Sequence, residues 1–459
     1  MPTAPPVDVP MIPNSHATSL LFCFFLLATS GNATGGGEWP QFRGPDGQGH
    51  TSAVGLPTEW SETQNIAWKT GLPGEGHSSP VISGEQIWLT TAVTETLPEA
   101  EQQKRLSNLK HPQGLKLAGS LSLQALQVNR TTGAIEQQIK LFEVSEPEPK
   151  HALNSYASPT PVIVDEFVYC HFGTYGTACI QRRTGTVVWK QNSLHCDHQN
   201  GPGSSPVAWQ DLLILHYDGM DAQFIAALNR SDGSVRWKKQ RSGEMHPQSH
   251  LKKAYATPLI IESADIPLVI SPAADWVYGY HAGTGEEVWR AHYGRLGFST
   301  VPRPVAEDGR VFISTSYMQP RLLAVDFTGR GDVTETHVRW TADKRAPKKP
   351  SMLVADGNLY TVTDNGIAAC LNATDGSEVW KIRLRGEFSA SPLFAQGCLY
   401  FFGQNGETTV IRAGAEPKEI ARNTLNAGFM ASPAVAEKAL FLRTEEALYR
   451  VCRTIPTIR

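Results

Sequence analysis

The chain has 459 residues, with 41 Lys and Arg against 44 Asp and Glu for a net charge of −3, 41% hydrophobic residues, 40 Gly and 31 Pro. Its 11 Trp, 12 Tyr and 17 Phe exclude a disordered chain, and its Gly and Pro lack the strict period of collagen. Near-neutral charge without a long Lys/Arg run excludes a protein built to neutralise phosphates, so no nucleic-acid partner is expected.

Residues 20–28, Leu-Leu-Phe-Cys-Phe-Phe-Leu-Leu-Ala, form an apolar run that is too short for a bilayer, which takes ~20 residues. Small and polar residues follow it, so residues 1–33 read as a signal peptide cleaved after Ala33, although no Lys or Arg precedes the run. An exported protein, periplasmic or extracellular and without a membrane span, is expected. Cys23 follows Phe22 rather than a small residue, which argues against a lipid anchor there. Residues 34–65 read as an extension and 454–459 as a tail. Six Cys lie beyond residue 33, without a Cys-x-x-Cys pair. Cys170 and Cys179 flank the turn Gly173-Thr174-Tyr175-Gly176, and counting outward from it places them opposite each other. The two readings are a cross-strand disulfide and a pair of half-buried thiols.

A Pro-led apolar strand then recurs eight times, at Pro80, Pro159, Pro206, Pro258, Pro302, Pro350, Pro392 and Pro433. Between Pro80 and Pro159 the spacing is long, and residues 93–118, rich in Glu, Gln, Lys and Leu, read as a helical or loop insertion. Later in each unit a turn is followed by a Trp four residues after its Gly: Gly185 and Trp189, Gly233 and Trp237, Gly285 and Trp289, Gly376 and Trp380. Gly supplies the positive φ of the turn, and the ring at a fixed offset is expected to bury against the neighbouring unit. Gly133 keeps the turn but has Gln137 in place of the Trp. Four short strands per unit are the composition of a propeller blade. After Pro433 there is room for three strands, whereas Ile66-Ala67-Trp68-Lys69 is a Trp strand without a unit. Joining them predicts an all-β, eight-bladed β-propeller of four-stranded antiparallel blades over residues 66–453, closed by an N-terminal strand that completes the last blade.

These repeats resemble the PQQ-binding-like propeller repeat shared by quinoprotein dehydrogenases and the outer-membrane assembly protein BamB, over about residues 38–452. The run Trp39-Pro40-Gln41-Phe42-Arg43-Gly44-Pro45 and the segment from His198 to Pro206 resemble exported bacterial PQQ-like repeat proteins. One fold hosts many activities, so function has to be read from the site.

In such a ring the loops entering the innermost strands and the hairpins between second and third strands open on one face. They bring to it the candidate ligand-binding residues His77, Asn154, Tyr156, His198, Asn200, Lys253, Tyr255 and Arg303 from the loops, and Tyr175, Asp218, Asp221, Trp276 and Tyr317 from the hairpins. Asp364, Asn365 and Asn405 read first as turn formers. His195-Cys196-Asp197-His198, with His216 and Asp218, carries metal-ligand residue types, but strand alternation sends neighbouring side chains to opposite faces, so no metal site is assigned.

The quinoprotein resemblance implies PQQ and Ca²⁺ as cofactors, with Asp218, Asp221, Asp275 and Asn200 as oxygen donors, Asp275 as candidate catalytic base, Trp276 as a floor for the quinone, and Lys253 or Arg303 for its carboxylates. Adjacent cysteines, part of that arrangement in many members, are absent. The BamB resemblance implies a protein partner. The reading is therefore a monomeric binding or scaffolding module for a protein, small-molecule or glycan ligand on the funnel face. The alternative is a PQQ- and calcium-dependent dehydrogenase of alcohols or sugars.

Overall fold

The computed structural model describes residues 37–262, 265–294 and 297–453, together with Met1, Thr3 and Ala4. The signal-peptide reading of residues 1–33 and the 454–459 tail lie outside the described residues. The chain divides into a unit Met1–Thr34 and a unit Gly35–Arg459, and the propeller belongs to the second. No described helix is long and apolar enough to cross a membrane.

Eight four-stranded antiparallel sheets, two of them extended by a short parallel strand, form the eight blades. Blade 1 begins at Val81–Ser83, and blades 2 to 8 begin at Val162–Val164, Val207–Trp209, Leu259–Ile261, Val305–Glu307, Leu353–Ala355, Leu393–Ala395 and Ala434–Ala436. Ile66–Gly71 pairs antiparallel with Ala447–Cys452 and completes blade 8, so the expected clasp is present and covers an open sheet edge.

The innermost strands are tied by a ring of hydroxyls. The backbone N–H of Ser79 donates to Thr160 Oγ1, that of Thr160 to Ser205 Oγ, and that of Ser205 to Thr257 Oγ1, at 2.9–3.0 Å. Arg303 to Ser351, Ser351 to Ser391, Ser391 to Ser432 and Ser432 to Ser79 continue it at 2.9–3.1 Å. The ring corrects the repeat register. The repeated step is the hydroxyl before the strand, so the equivalent prolines are Pro161 in blade 2 and Pro304 in blade 5, where Pro159 and Pro302 were expected, and blade 6 has Met352 rather than Pro350.

Between blades, the outer-strand Trp packs on the turn Gly of the next blade. A Cβ on Gly233 would stand 2.6 Å from the Trp189 ring and one on Gly285 2.5 Å from Trp237. Gly376 meets Trp340 and Gly133 meets Trp68 in the same way, the last across the closure. Trp189 Nε1 also donates 2.8 Å to Arg230 O, and Trp340 Nε1 3.0 Å to Ala373 O, which satisfies the indole while it is half-buried to buried. Where blade 1 lacks the Trp, Gln137 takes its place against Gly185.

Residues 39–60 cross the innermost strands rather than adding an outer surface. Trp39 pairs with Ile82 of blade 1, Pro40 O accepts from Ile163 N of blade 2, and His50–Thr51 runs parallel to Phe394–Ala395 of blade 7. Trp60 N then donates 2.7 Å to Asn423 in blade 7. The insertion is shorter than expected, because Gln86–Thr96 and Ala118–Asn129 continue pairing out to Thr96. A helix Glu99–Ser107 and a short strand Leu115–Lys116, paired with Lys150–His151, make up the rest.

The expected cysteine pairing is not formed. The turn carries five residues between its closing pair His171 and Thr177, so Cys170 stands opposite Ala178 and Cys179 opposite Tyr169. This one-residue offset turns the two thiols to opposite faces, Cys170 against blade 1 and Cys179 against blade 3, and both are buried and free. Asn129, Asn229 and Asn372, each in an Asn-x-Ser/Thr sequence, end third strands.

Candidate functional site

The strands converge on an axial cavity of about 670 Å³, within the size range of ligand sites. Phe42 of the N-terminal crossing lines it, held by its carbonyl, which accepts 2.5 Å from Arg303 Nη1. All seven ring hydroxyls line the cavity. Each uses its oxygen to accept a neighbour's N–H, which leaves its O–H proton for a ligand. Phe298, Tyr317 and Met318 form an apolar wall, with Tyr317 at 50% exposure.

Of the expected ligand-binding residues, His77, Asn154, Asn200, Lys253, Tyr255 and Tyr317 line this cavity. Asn154 Nδ2 donates to the carbonyls of Asn200 and Pro202 at 2.7 and 3.1 Å, and Tyr255 Oη donates 2.7 Å to His198 O, so three entering loops are locked together. Lys253 is 5% exposed and donates to the side-chain oxygen of Gln199. Burial lowers its ammonium to about 8, against the pull of Asp197.

The other nominated residues stand elsewhere. Tyr156 and Tyr175 pack in the core between blades 1 and 2, both donating to Glu148 O. His198 is buried, accepting Thr174 N at 3.2 Å, and Asp221 accepts Asp197 N at 2.7 Å. Asp218 is consumed by a bidentate pair with Arg241 at 2.9 and 2.6 Å; burial opposes the guanidinium's charge, but the facing carboxylate holds its pKa above the ordinary value. Arg303 is fully buried and donates to Phe42, Pro258 and Gln41, so it anchors the crossing segment and is not a ligand group at the cavity. Asp275 accepts His246 N at 2.9 Å, and Trp276 packs on His292 and Arg290.

Several cavity residues were not anticipated. The insertion contributes His111 and Gln113; Gln199 Nε2 donates 3.3 Å to His111 O, and the His111 and His250 rings stand 4.2 Å apart. His151, Lys348 and Lys349 also line the cavity. Lys348 and Lys349 lie within the three residues ahead of Ser351, and Lys253 lies four ahead of Thr257, so a search of every entering loop for charge within a few residues of the ring position would have found them. His111 and Phe42 have no such sequence signal.

A family profile described as outer membrane protein assembly factor BamB matches residues 50–239 and 330–416, more than half of the chain. The chain belongs to this PQQ-like repeat family. A tetrathionate hydrolase of Acidithiobacillus ferrooxidans is 23% identical over 259 residues, which is 52% of this chain and 43% of that protein, so the match spans less than half of that relative's length. Among solved structures, a europium-containing methanol dehydrogenase is similar at a TM-score of 0.62 and 10% identity, covering 90% of both chains. A quinohemoprotein alcohol dehydrogenase from Comamonas testosteroni gives 0.59 at 10% identity over 94% of this chain and 82% of that one. BamB from Moraxella catarrhalis gives 0.50 at 13% identity over 79% and 99%. At these identities the solved structures show a shared fold.

The cavity lining offers nitrogen, hydroxyl and amide groups, Asn200 among the amides, with Asp364 as its carboxylate, and that carboxylate is bonded to Lys348 N at 2.7 Å and paired with Lys349 at 3.6 Å. The acids nominated for calcium are engaged elsewhere, and among the described residues no group of three or more His, Cys, Asp and Glu could hold a metal ion. Of the metal candidates, His195 and His198 both bond Thr174, at 3.1 and 3.2 Å, while His216 bonds Ser271 at 2.8 Å and Asp218 is paired with Arg241. Calcium, which prefers several oxygen ligands, does not fit this lining, and Trp276 is not placed to floor a quinone.

Proposed function

We propose that the protein is an exported binding or scaffolding propeller that receives its ligand in the axial cavity. The observation that carries this reading is the lining itself: every blade position but that of Arg303 contributes a ring hydroxyl with a proton to donate, and Phe42 closes the end that the crossing segment covers. A protein partner would reach the same face through an exposed side chain or chain end. The relative named as a tetrathionate hydrolase supplies one candidate small ligand, tetrathionate. The dehydrogenase reading gains nothing from the lining, which offers no calcium ligand set.

Thermal unfolding with a panel of PQQ with and without Ca²⁺, tetrathionate and neutral oligosaccharides tests the reading. A ligand at 100 times its Kd stabilises by about 2.7 kcal/mol, which raises the melting temperature measurably. The Met430→Trp variant enlarges a half-buried residue of the cavity lining and is expected to abolish that rise while melting near wild type alone. Stabilisation that persists in Met430→Trp would move the site away from the axis, and PQQ turnover with an alcohol would replace the binding reading.

A further inference from the structure

On the axial reading just given, we infer that the cavity takes a small dianion bearing oxyanion groups, held between Lys253, the Lys348-Lys349 pair and the hydroxyl ring. Three observations support this independently of the fold. First, positive charge converges on the cavity: Lys253, Lys348 and Lys349 all line it. These cations sit in a chain whose net charge is −3, so the concentration is local. Second, the compensation is incomplete. Lys150 is paired with Glu75 at 3.0 Å and Lys349 with Asp364 at 3.6 Å. Lys253, at 5% exposure, bonds a neutral amide oxygen, and Lys348 Nζ lies over the Tyr317 ring at 5.1 Å. Keeping a buried ammonium against a neutral partner costs solvation, and an anion in the cavity removes that cost. Third, the remaining polar groups suit an anion: each ring hydroxyl already accepts one N–H and has its O–H free to donate, and charge-assisted hydrogen bonds to an oxyanion are the stronger kind.

The insertion reaches the cavity through His111, whose carbonyl accepts from Gln199, and the crossing segment reaches it through Phe42. A dianion such as a sulfur oxyanion or a short dicarboxylate can accept charge-assisted hydrogen bonds from the lysines and O–H donors that line the cavity. These are two sources of the same chemistry.

Isothermal titration of the purified protein with sulfate, thiosulfate and succinate, with chloride as the monoanion control at matched ionic strength, tests the inference. Saturable binding of a dianion is expected, weakened about tenfold or more in Lys253→Gln and in Lys349→Gln, and unchanged in Lys140→Gln, an exposed outer-strand lysine. Circular dichroism checks that each variant folds, and Lys349→Gln, at a more exposed position, serves if Lys253→Gln does not. If thiosulfate separates from succinate in affinity, the source is resolved between sulfur and carbon oxyanions. No heat with any dianion at 10 mM, or equal binding by wild type and Lys349→Gln, overturns the inference. Should a neutral oligosaccharide stabilise wild type but not Met430→Trp while the dianions are silent, the axial reading survives and the anion assignment alone falls.

Discussion

His171, His198 and His216 are 1%, 5% and 2% exposed. Burial lowers His171 to about 3 and His198 to about 4, and holds His216 well below the ordinary imidazole value. The groups facing them modify this: His198 acts on His171, Asp221 on His198, and Arg241 and His171 on His216. Each ring is neutral in the fold but takes a proton in the unfolded chain below about pH 6.5, so stability is lost as pH falls from there towards 4. One such group contributes a slope of at most about 1.4 kcal/mol per pH unit. Glu148 works in the opposite sense, because burial raises its carboxyl to about 7 and the fold then binds a proton before the unfolded chain does. Burial lowers His77 to about 3 as well, so four imidazoles outweigh Glu148 and urea unfolding between pH 6.5 and 4.5 is expected to show a net decline in stability. His171→Gln should flatten that decline by about one proton, and Glu148→Gln should steepen it. An unchanged slope in both variants would show that these groups titrate alike in the folded and unfolded chains.

At the scale of the element, the recurring contact is an indole laid on the glycine of the following blade. Gly233 has φ +75° and a hypothetical Cβ 2.6 Å from Trp189, whereas Gly357 has φ +72° with nothing within 4 Å. Both substitutions to Ala incur the left-handed backbone cost of roughly 1–2 kcal/mol. Gly233→Ala must also displace the ring and its 2.8 Å bond to Arg230 O. We expect it to cost at least about 1 kcal/mol more than Gly357→Ala by urea denaturation, on the scale of overpacking a filled site; equal costs would mean that the Trp is not positioned by the glycine. This element was legible because it is local: the turn and its ring are four residues apart in one chain segment. The Ser-Pro step was read two residues out in three blades because proline only accompanies the feature that the fold requires. That feature is a hydroxyl at Thr160, Ser351 and their equivalents, whose partner lies about 40 or more residues away in the next blade.

At the scale of the whole molecule, Ile66–Gly71 closes the ring on Ala447–Cys452 and residues 39–60 cross the innermost strands before reaching it. A chain starting at residue 72 would expose the edge of Ala447–Cys452 and lose the Trp68 contact to Gly133. An exposed edge is a template for pairing with another chain. Size-exclusion chromatography is expected to show association of this truncated chain and a melting temperature lower by ten degrees or more than that of residues 34–459. A monomeric, equally stable product would show that the clasp is dispensable.

The blade count, the closure and six of the cavity residues, His77, Asn154, Asn200, Lys253, Tyr255 and Tyr317, were determined by the amino-acid sequence alone. In a propeller the position of a loop within the repeat specifies which face it opens on, and the repeat is written in residues close along the chain. The tertiary structure decided which polar groups reach the axis and which are spent on one another. Asp218 and Arg303 occupy equally plausible loop positions, but one is neutralised by Arg241 and the other is buried holding the crossing segment. Phe42 and His111 reach the cavity because an extension and an insertion fold back across other blades. Such long-range contacts depend on packing between segments hundreds of residues apart, and no local pattern in the chain encodes them.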